Sequence, residues 1–266
     1  MIVDIALSEL HLEDILRAFH KIKHNGSKLV YIDHHPEPLN LRVRDIPGEV
    51  IHNDNVSASE LTYKYFSSML DRDMCRVALY GAICDYMDTT EWVIRELENW
   101  DKRTIYFEAG VLSQGLEGSR KMYDFKRHIV KHLAEGKLPS SLSELLVRAL
   151  IETVNEEELR LWIKHNIKTY GKIAYVINPP GSLTRAATYT RAISNKPIGI
   201  AIEVRNGKAI MSLRTISERI NLNSLLRVIC PKLGGTGGGH IKAAGARIPY
   251  NNIQAFFDEL NKRIKL

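Results

Sequence analysis

Apolar and polar residues alternate along the chain with two different spacings, which predicts strands mixed with helices. Short apolar runs at residues 2–6 and 28–33 predict two strands. Between them an amphipathic helix is expected to begin near Ser8 and end near Gly26. The apolar face of this helix consists of Leu12, Ile15, Leu16 and Phe19. A strand, a helix and a second strand form the βαβ unit of a parallel sheet, so the first domain is predicted to be α/β.

The residues after this unit are predicted to be mainly helical. Ser57-Ala58-Ser59-Glu60 has the pattern of a capping box, and a helical region is expected to follow to about Leu133. Breaks in this region are expected near Asp71, Thr89 and Gly115. After turns at Gly136 and Pro139, two helical segments are predicted at residues 142–152 and 156–168. These segments are interpreted as a connector.

Strand patterns dominate from Lys172 onward. Apolar runs at residues 172–177, 197–205 and 208–215 predict strands, and Asn206-Gly207 predicts a two-residue hairpin turn between the last two. Helices are predicted at residues 185–193, 222–229 and 253–264. The chain is therefore expected to contain a parallel-sheet domain at 1–135, a helical connector at 136–170 and a smaller mixed-sheet α/β domain at 171–266.

Length and charge agree with two domains of different character. A chain of 266 residues can bury two cores. Residues 171–266 contain 15 Lys and Arg against four Asp and Glu, net +11, whereas residues 1–170 contain 22 against 27, net −5. An acidic part that holds metals and a basic part that holds phosphates would explain this division, and two ordinary solvated surfaces would explain it as well.

The three cysteines are too few and too scattered for a disulfide framework or a zinc knuckle, which favours a reducing cytoplasm. The N-terminal residues lack a signal-peptide pattern, and no apolar stretch approaches twenty residues. Membrane insertion is therefore not expected.

A glycine-rich segment lies in the basic part, at Gly237-Gly238-Gly239-His240. Backbone N–H groups of glycines can turn toward one oxyanion, and His240 adds a side-chain donor, so the segment is interpreted as a phosphate-binding loop. The alternative is a flexible linker. The flanking apolar runs at 225–229 and 243–248, which predict a helix end and a strand, favour the binding loop.

Candidate metal ligands follow several apolar runs. The predicted strand at 28–33 ends in Asp33-His34-His35, Asp4 follows the first apolar run, and Asp85 ends a helical stretch. Ligands of this type suit manganese or a similar divalent ion, although histidines beside a loop proline are also common on surfaces. Asp88 either supports Asp85 or is a solvated carboxylate.

These two motifs resemble those of the DHH-type phosphoesterases, which include RecJ-like exonucleases, nanoRNases and cyclic-dinucleotide phosphodiesterases. Asp33-His34-His35 matches the motif that names the family. The glycine run, together with Ala243-Ala244-Gly245, matches its C-terminal DHHA1 substrate domain. The resemblance covers essentially the whole chain and implies hydrolysis of a phosphate ester by metal-activated water.

The resemblance also implies roles for individual residues. Asp4, His34 and Asp85 would be ligands of a manganese centre, and His35 would orient a ligand, donate to the phosphate or be structural. The substrate phosphate would be bound by Arg214, in the segment Ser212-Leu213-Arg214, and by the glycine run with His240. Lys242, Arg247 and Arg185 are further candidates for phosphate contacts.

One family motif, His-x-Asp-x-Asp, does not occur in the sequence. From the resemblance, we expect that an N-terminal strand with metal ligands is missing. The complete family site holds two Mn²⁺ ions, so this chain is expected to hold one ion or none.

Two hypotheses for function follow. The first is a manganese-dependent phosphoesterase of short oligonucleotides or single-stranded nucleic-acid ends. The second is a non-catalytic nucleic-acid-binding or replication scaffold protein derived from a RecJ-like enzyme. The small number of aromatic residues after Tyr170 favours short substrates over long strands. A cytoplasmic location is expected, and homodimer formation is left open.

Overall fold

The computed structural model describes residues 1–264, which fold into two compact units. The first unit comprises Met1–Thr153, and the second begins at Val154. No helix among residues 1–264 combines the length and the apolar character needed to cross a bilayer.

A three-stranded parallel sheet forms the start of the first unit. Its strands are β1 (Ile2–Val3), β2 (Val30–Asp33) and β3 (Glu49–His52), in the order β1-β2-β3, and α1 (Leu12–His24) connects the first two. The predicted parallel sheet is thus confirmed, but β3 was not predicted. The first strand is shorter than expected because Asp4 adopts φ of 56°, which turns the chain after Val3.

Both faces of this sheet are covered, as parallel sheets require. Tyr31 packs with Phe19 of α1 on one face, whereas Ile32 packs with Leu61 on the other. All four residues of β2 are therefore buried. This burial explains why the strand appears in the sequence as a continuous apolar run.

The remainder of the first unit is helical. Its helices are α2 (Ala58–Phe66), α3 (Cys75–Cys84), α4 (Glu91–Leu97), α5 (Lys102–Glu117) and α6 (Tyr123–Ala134). The predicted cap is present, since Ser57 Oγ accepts a hydrogen bond from the backbone N–H of Glu60. The break expected near Gly115 lies two residues further on, where α5 ends at Glu117. Gly115 lies inside α5, where a Cβ atom would come within 2.2 Å of Leu145 Cδ1, so its role is close helix packing.

The connector is a single helix, α7 (Ser143–Asn166), rather than the two predicted segments. Thr153 and Asn155 have modest helix propensity, but neither glycine nor proline interrupts the helix. The boundary between the compact units falls within α7. Residues 168–170, predicted to belong to the connector, form strand β4.

The second unit contains a six-stranded mixed sheet. Its strands are β4 (Lys168–Tyr170), β5 (Ile173–Ile177), β6 (Ile198–Arg205), β7 (Lys208–Thr215), β8 (Thr236–Gly239) and β9 (Ala243–Pro249). They lie in the order β4-β5-β6-β7-β9-β8, and among the described strands of this second sheet only β5 and β6 pair in parallel. The predicted hairpin is confirmed, since Asn206 and Gly207 both have positive φ, as its turn requires.

Three helices accompany this sheet: α8 (Leu183–Ser194), α9 (Leu222–Lys232) and α10 (Ile253–Arg263). The main core of the unit lies between the sheet and α9 and α10, with Leu226 and Phe256 fully buried. Alanines of α8 pack against β5 and β6 in a separate cluster. The predicted mixed α/β architecture is confirmed.

Candidate metal and phosphate sites

The carboxyl end of the parallel sheet gathers polar side chains from two strands. The backbone N–H of Asp4, which follows β1, donates to the carbonyl of Ile32, so Asp4 lies beside the end of β2. Asp33 is the last residue of β2, and His34 and His35 follow it. Parallel strands end at the same edge, which brings these residues together although about 30 positions separate them in the sequence.

The side chains of this cluster are in direct contact. His34 Nε2 lies 3.3 Å from Asp4 Oδ1, and His35 Nδ1 lies 2.8 Å from Asp33 Oδ1. Asp4, Asp33 and His35 each offer a ligand atom, and these atoms lie within 4.8 Å of one another. The rings of His34 and His35 meet edge to face with centroids 4.9 Å apart.

Asp85 reaches the same region from the C-terminal end of α3. Together with Asp4 it lines a cavity of about 470 Å³, whose other walls are mainly apolar residues of α2, α3 and α5. Partial desolvation raises the pKa of Asp85, and the negative charge of Asp4 adds to this effect, against the opposing charges of His34 and His35. Two neighbouring carboxylates are an arrangement that a bound cation stabilises.

Charge interactions within the cluster shift two other groups in opposite directions. The hydrogen bond with His34 lowers the pKa of Asp4, and the hydrogen bond with Asp4, reinforced by the charge of Asp85, raises the pKa of His34. The pKa of Asp33 is lowered, because hydrogen bonds from His35 and Tyr31 outweigh its burial. The cluster thus holds three carboxylates around two imidazoles.

Neighbouring polar groups fix the orientation of the histidine segment. Tyr31 Oη lies 2.9 Å from Asp33 Oδ2, and His52 Nε2 donates to the carbonyl of His35 at 2.7 Å. Sequence reasoning missed both residues. The signal for His52 was present, since Val50-Ile51 is an apolar run that ends in a potential ligand, as the run before Asp33 does.

The chemistry of the donors fits a divalent cation. Carboxylate oxygens with imidazole nitrogens suit Mn²⁺, Mg²⁺ or a similar ion, whereas thiolates are the ligands of softer metals. All three cysteines are free, with the Cys75 and Cys230 side chains buried. The structure therefore brings together Asp4, His34 and Asp85, with His35 alongside.

The second group of predicted residues lies at one end of the sheet in the second unit. Arg214, near the end of β7, pairs in register with Ala243 of β9, and Gly239 pairs with Ala244. His240 begins the turn between β8 and β9, where its N–H donates to the carbonyl of Ala243. Arg214, Gly239 and His240 are thus close, while Gly237 and Gly238 lie further along β8.

The glycine run is a strand, which corrects the prediction of a loop. Gly237, Gly238 and Gly239 pair in an antiparallel ladder with β9. Side chains are excluded there because α9 lies against β8: a Cβ atom at Gly237 would lie 2.6 Å from Cys230 Sγ and 3.0 Å from Leu226 Cβ. The glycines are therefore required by packing, whatever else they bind.

The tip of this hairpin adjoins the N-terminus of α9. The side chain of Asn223 accepts from the N–H of Gly239 at 3.1 Å, and the N–H of Leu222 donates to the carbonyl of Ile241. Arg227 lies near Gly238, since its Nε atom would be 3.7 Å from a Cβ atom there. Neither Asn223 nor Arg227 was identified from the sequence. Their signal was faint, because Asn221-x-Asn223 looks like an ordinary helix cap.

Three further candidates have partners inside their own unit. Arg185 forms an ion pair with Glu156 at 2.9 Å, and Lys242 pairs with Glu218 at 2.5 Å. Asp88 accepts a hydrogen bond from Tyr106 at 2.9 Å. These contacts give each residue a structural role. Arg247 is exposed on β9.

Comparison with known proteins gives the family of the C-terminal part of the chain. Residues 169–266 match the family model of the DHHA1 domain. No curated protein sequence matches the chain significantly. The family match thus covers the sheet of the second unit, including the glycine strand.

Solved structures share the fold of nearly the whole chain. A DHH-domain protein described as belonging to a family of ribosomal proteins has a TM-score of 0.67 at 14% identity, over 94% of this chain and 67% of that chain. RecJ of Thermus thermophilus, solved with Mn²⁺, has a TM-score of 0.60 at 15% identity, over 98% of this chain and 44% of RecJ. The pGpG-specific phosphodiesterase PggH of Vibrio cholerae has a TM-score of 0.53 at 14% identity, over 91% and 87% of the two chains.

Residues 169–266 thus belong to the DHHA1 domain family, and nearly the whole chain has the fold of DHH-domain proteins. The resemblance predicted from its two motifs is confirmed.

Proposed function

We propose that this chain is a metal-dependent phosphoesterase that hydrolyses short oligonucleotides or the ends of single-stranded nucleic acid. The observation that carries the proposal is the convergence of Asp4, His34 and Asp85 at one edge of the parallel sheet. A DHHA1 domain on the same chain supplies a basic surface suited to phosphates.

In this proposal the acidic cluster binds the divalent ion, for which manganese is the first candidate. Asp4, His34 and Asp85 would be its ligands. A bound divalent ion lowers the pKa of water and neutralises charge on phosphate oxygens. Asp33 orients His35 through their 2.8 Å contact, so that the ring can hold a ligand or donate to a phosphate oxygen.

The second unit would bind a phosphate of the substrate. Arg214 and His240 lie at the same end of the sheet, and Arg227 extends the positive charge along α9. The Arg214 guanidinium now contacts Ser212 Oγ and the carbonyl of Leu213. Guanidinium groups bind phosphates in bidentate geometry, which makes Arg214 the first candidate.

The names of structural relatives support the reaction class. RecJ is an exonuclease that was solved with manganese, and PggH is described as specific for the dinucleotide pGpG. At identities of 14% to 16% these relatives share the fold, so the substrate of this chain is our proposal.

The proposal is tested by manganese-dependent hydrolysis of labelled oligonucleotides, from dinucleotides upward. We expect hydrolysis by the unmodified chain and its loss in His34→Ala. His20→Ala, at an exposed position of α1, is the matched control and should remain active. Binding without hydrolysis in the unmodified chain would contradict the proposal and favour a non-catalytic nucleic-acid-binding protein.

A further inference from the structure

Tyr86 is an exposed aromatic residue directly after the candidate metal ligand Asp85. The residue is 83% exposed, the highest exposure among the large apolar and aromatic residues that the structure describes. Its backbone adopts φ of 59°, in the left-handed region. A bulky side chain is rare there and merits an explanation.

The local cause of this conformation is the end of helix α3. The N–H of Met87 donates to the carbonyl of Ala82, and the N–H of Tyr86 donates to the carbonyl of Ile83. These two bonds form a Schellman motif, with Asp85 as the C-cap and Tyr86 at the following, left-handed position. Glycine, or sometimes asparagine, usually occupies that position because other residues are strained there.

Packing of the aromatic ring does not offset this strain. Tyr80 and Trp92 of the same unit are buried in its helical core. The Tyr86 ring instead remains in solvent. A strained, exposed aromatic residue beside a candidate site suggests a role in binding rather than in folding.

Tyr86 directly follows a residue of the acidic cluster. Consecutive Cα atoms are about 3.8 Å apart, so Tyr86 adjoins Asp85, which lines the cavity with Asp4. The turn is tied to α5, because Asp88 accepts a hydrogen bond from Tyr106. The exposed ring thus belongs to a tethered turn that begins at a carboxylate of the cluster.

We propose that the Tyr86 ring stacks on the nucleobase next to the phosphate that is bound at the Asp4, His34 and Asp85 cluster. This inference rests on the proposed function and narrows its substrate class to esters that carry a nucleobase. Stacking uses the face of a base, which all four bases possess. Tyr86 would therefore distinguish a nucleotide from an abasic phosphate ester, with little preference among bases.

The test compares variants with and without an aromatic ring in the full chain. Tyr86→Asn removes the ring and tolerates the left-handed backbone, so the turn is kept. Tyr86→Phe retains the ring. One probe is a dinucleotide that contains 2-aminopurine, whose fluorescence is quenched by stacking. The other is the matching dinucleotide in which an abasic site replaces the 2-aminopurine nucleotide. Binding is measured with and without Mn²⁺, and hydrolysis with Mn²⁺.

We expect quenching with the unmodified chain and with Tyr86→Phe, and loss of quenching with Tyr86→Asn. Affinity for the 2-aminopurine dinucleotide should fall about tenfold in Tyr86→Asn, within the range that base stacking on aromatic rings supports. Affinity for the abasic dinucleotide should be equal in all three proteins.

Equal quenching and equal affinities in Tyr86→Asn and the unmodified chain would overturn the role of Tyr86. If the unmodified chain still hydrolysed the dinucleotides, the proposed function would stand. If Tyr86→Asn lost the same affinity for the 2-aminopurine dinucleotide and for the abasic dinucleotide, the stacking role of Tyr86 would also be overturned, because the effect would not depend on the base. Failure of the unmodified chain to bind or hydrolyse either dinucleotide would overturn the proposed function together with this inference.

Discussion

The two candidate sites of this protein are built in opposite ways. The cluster at the parallel sheet consists of side chains: Asp4 and His34 come from the ends of different strands and meet at 3.3 Å. The glycine strand in the second unit depends on the absence of side chains, since any Cβ atom at Gly237 would collide with Cys230. The first arrangement concentrates negative charge, whereas the second allows a helix to lie close against a strand.

This difference predicts which substitutions affect binding and which affect folding. Partial desolvation raises the pKa of Asp85, so its charge is unfavourable for the folded state without a cation. Gly237 contributes to folding through close packing. Changes in the acidic cluster should therefore weaken metal binding at little cost in stability. Changes in the glycine strand should lower stability with little effect on metal binding.

The largest expected effect is the loss of metal affinity in Asp85→Asn. This change keeps the shape of the side chain and removes its charge. We expect Mn²⁺ affinity to fall about 100-fold, at the upper end of the loss that removal of an outer-shell partner causes. Calorimetric titration with Mn²⁺ measures it. Thermal stability without metal should be equal to that of the unmodified chain or higher. A marked fall in thermal stability with unchanged Mn²⁺ affinity would show that Asp85 contributes to folding rather than to metal binding.

A strong effect on folding is expected from Gly237→Ala. The added Cβ atom would lie 2.6 Å from Cys230 Sγ, and such overpacking costs about 1–3 kcal/mol of unfolding free energy. Gly245→Ala on the neighbouring strand is the matched control, because its Cβ atom would meet only the carbonyl of Met211, at 3.5 Å. Denaturant unfolding of both variants measures the difference. Equal stabilities would show that α9 is not packed closely against β8.

A smaller effect on folding, a gain in stability rather than a loss, is expected from substitution of Tyr86. Tyr86→Asn should raise the unfolding free energy by about 0.5–1 kcal/mol, because asparagine tolerates the left-handed backbone at the end of α3. Alanine lacks the short polar side chain that lets asparagine tolerate this conformation, so Tyr86→Ala should give no such gain. If both variants unfold at the same denaturant concentration as the parent, the backbone at Tyr86 carries no strain.

The smallest effect at neutral pH concerns the thiols of the two units. Burial raises the pKa of Cys84 to about 11 and that of Cys230 to about 12, from a usual value of 9.0. Because the unfolded thiols lose their protons first, this contribution to stability is complete below pH 9 and decreases as the pH rises toward 11 and 12. Alkylation of the folded chain should modify Cys84 before Cys230. In the denatured chain the two should react alike, and faster modification of Cys230 in the folded chain would contradict these shifts.

Much of the fold could be predicted because its signals are local. Alternating and continuous apolar runs identified β2, β6, β7 and β9, and Asn206-Gly207 identified a hairpin turn. The ligand candidates after the first two strands and α3 were also visible, since each polar residue directly follows an apolar run. Errors arose where one residue type serves two purposes. The glycines at 237–239 were predicted to form a loop, but they lie in a strand and allow α9 to pack closely on it.

Local sequence patterns were sufficient to predict the class of fold, the two motifs and the types of ligand, because these depend on neighbouring residues. The contacts that these residues make follow from the tertiary structure. Parallel pairing brings Asp4 to His34, the close packing of α9 makes the glycine run a strand, and ion pairing with Glu156 gives Arg185 a structural role. Such contacts join residues distant in the chain, and their geometry depends on strand register and helix packing, which local patterns do not encode.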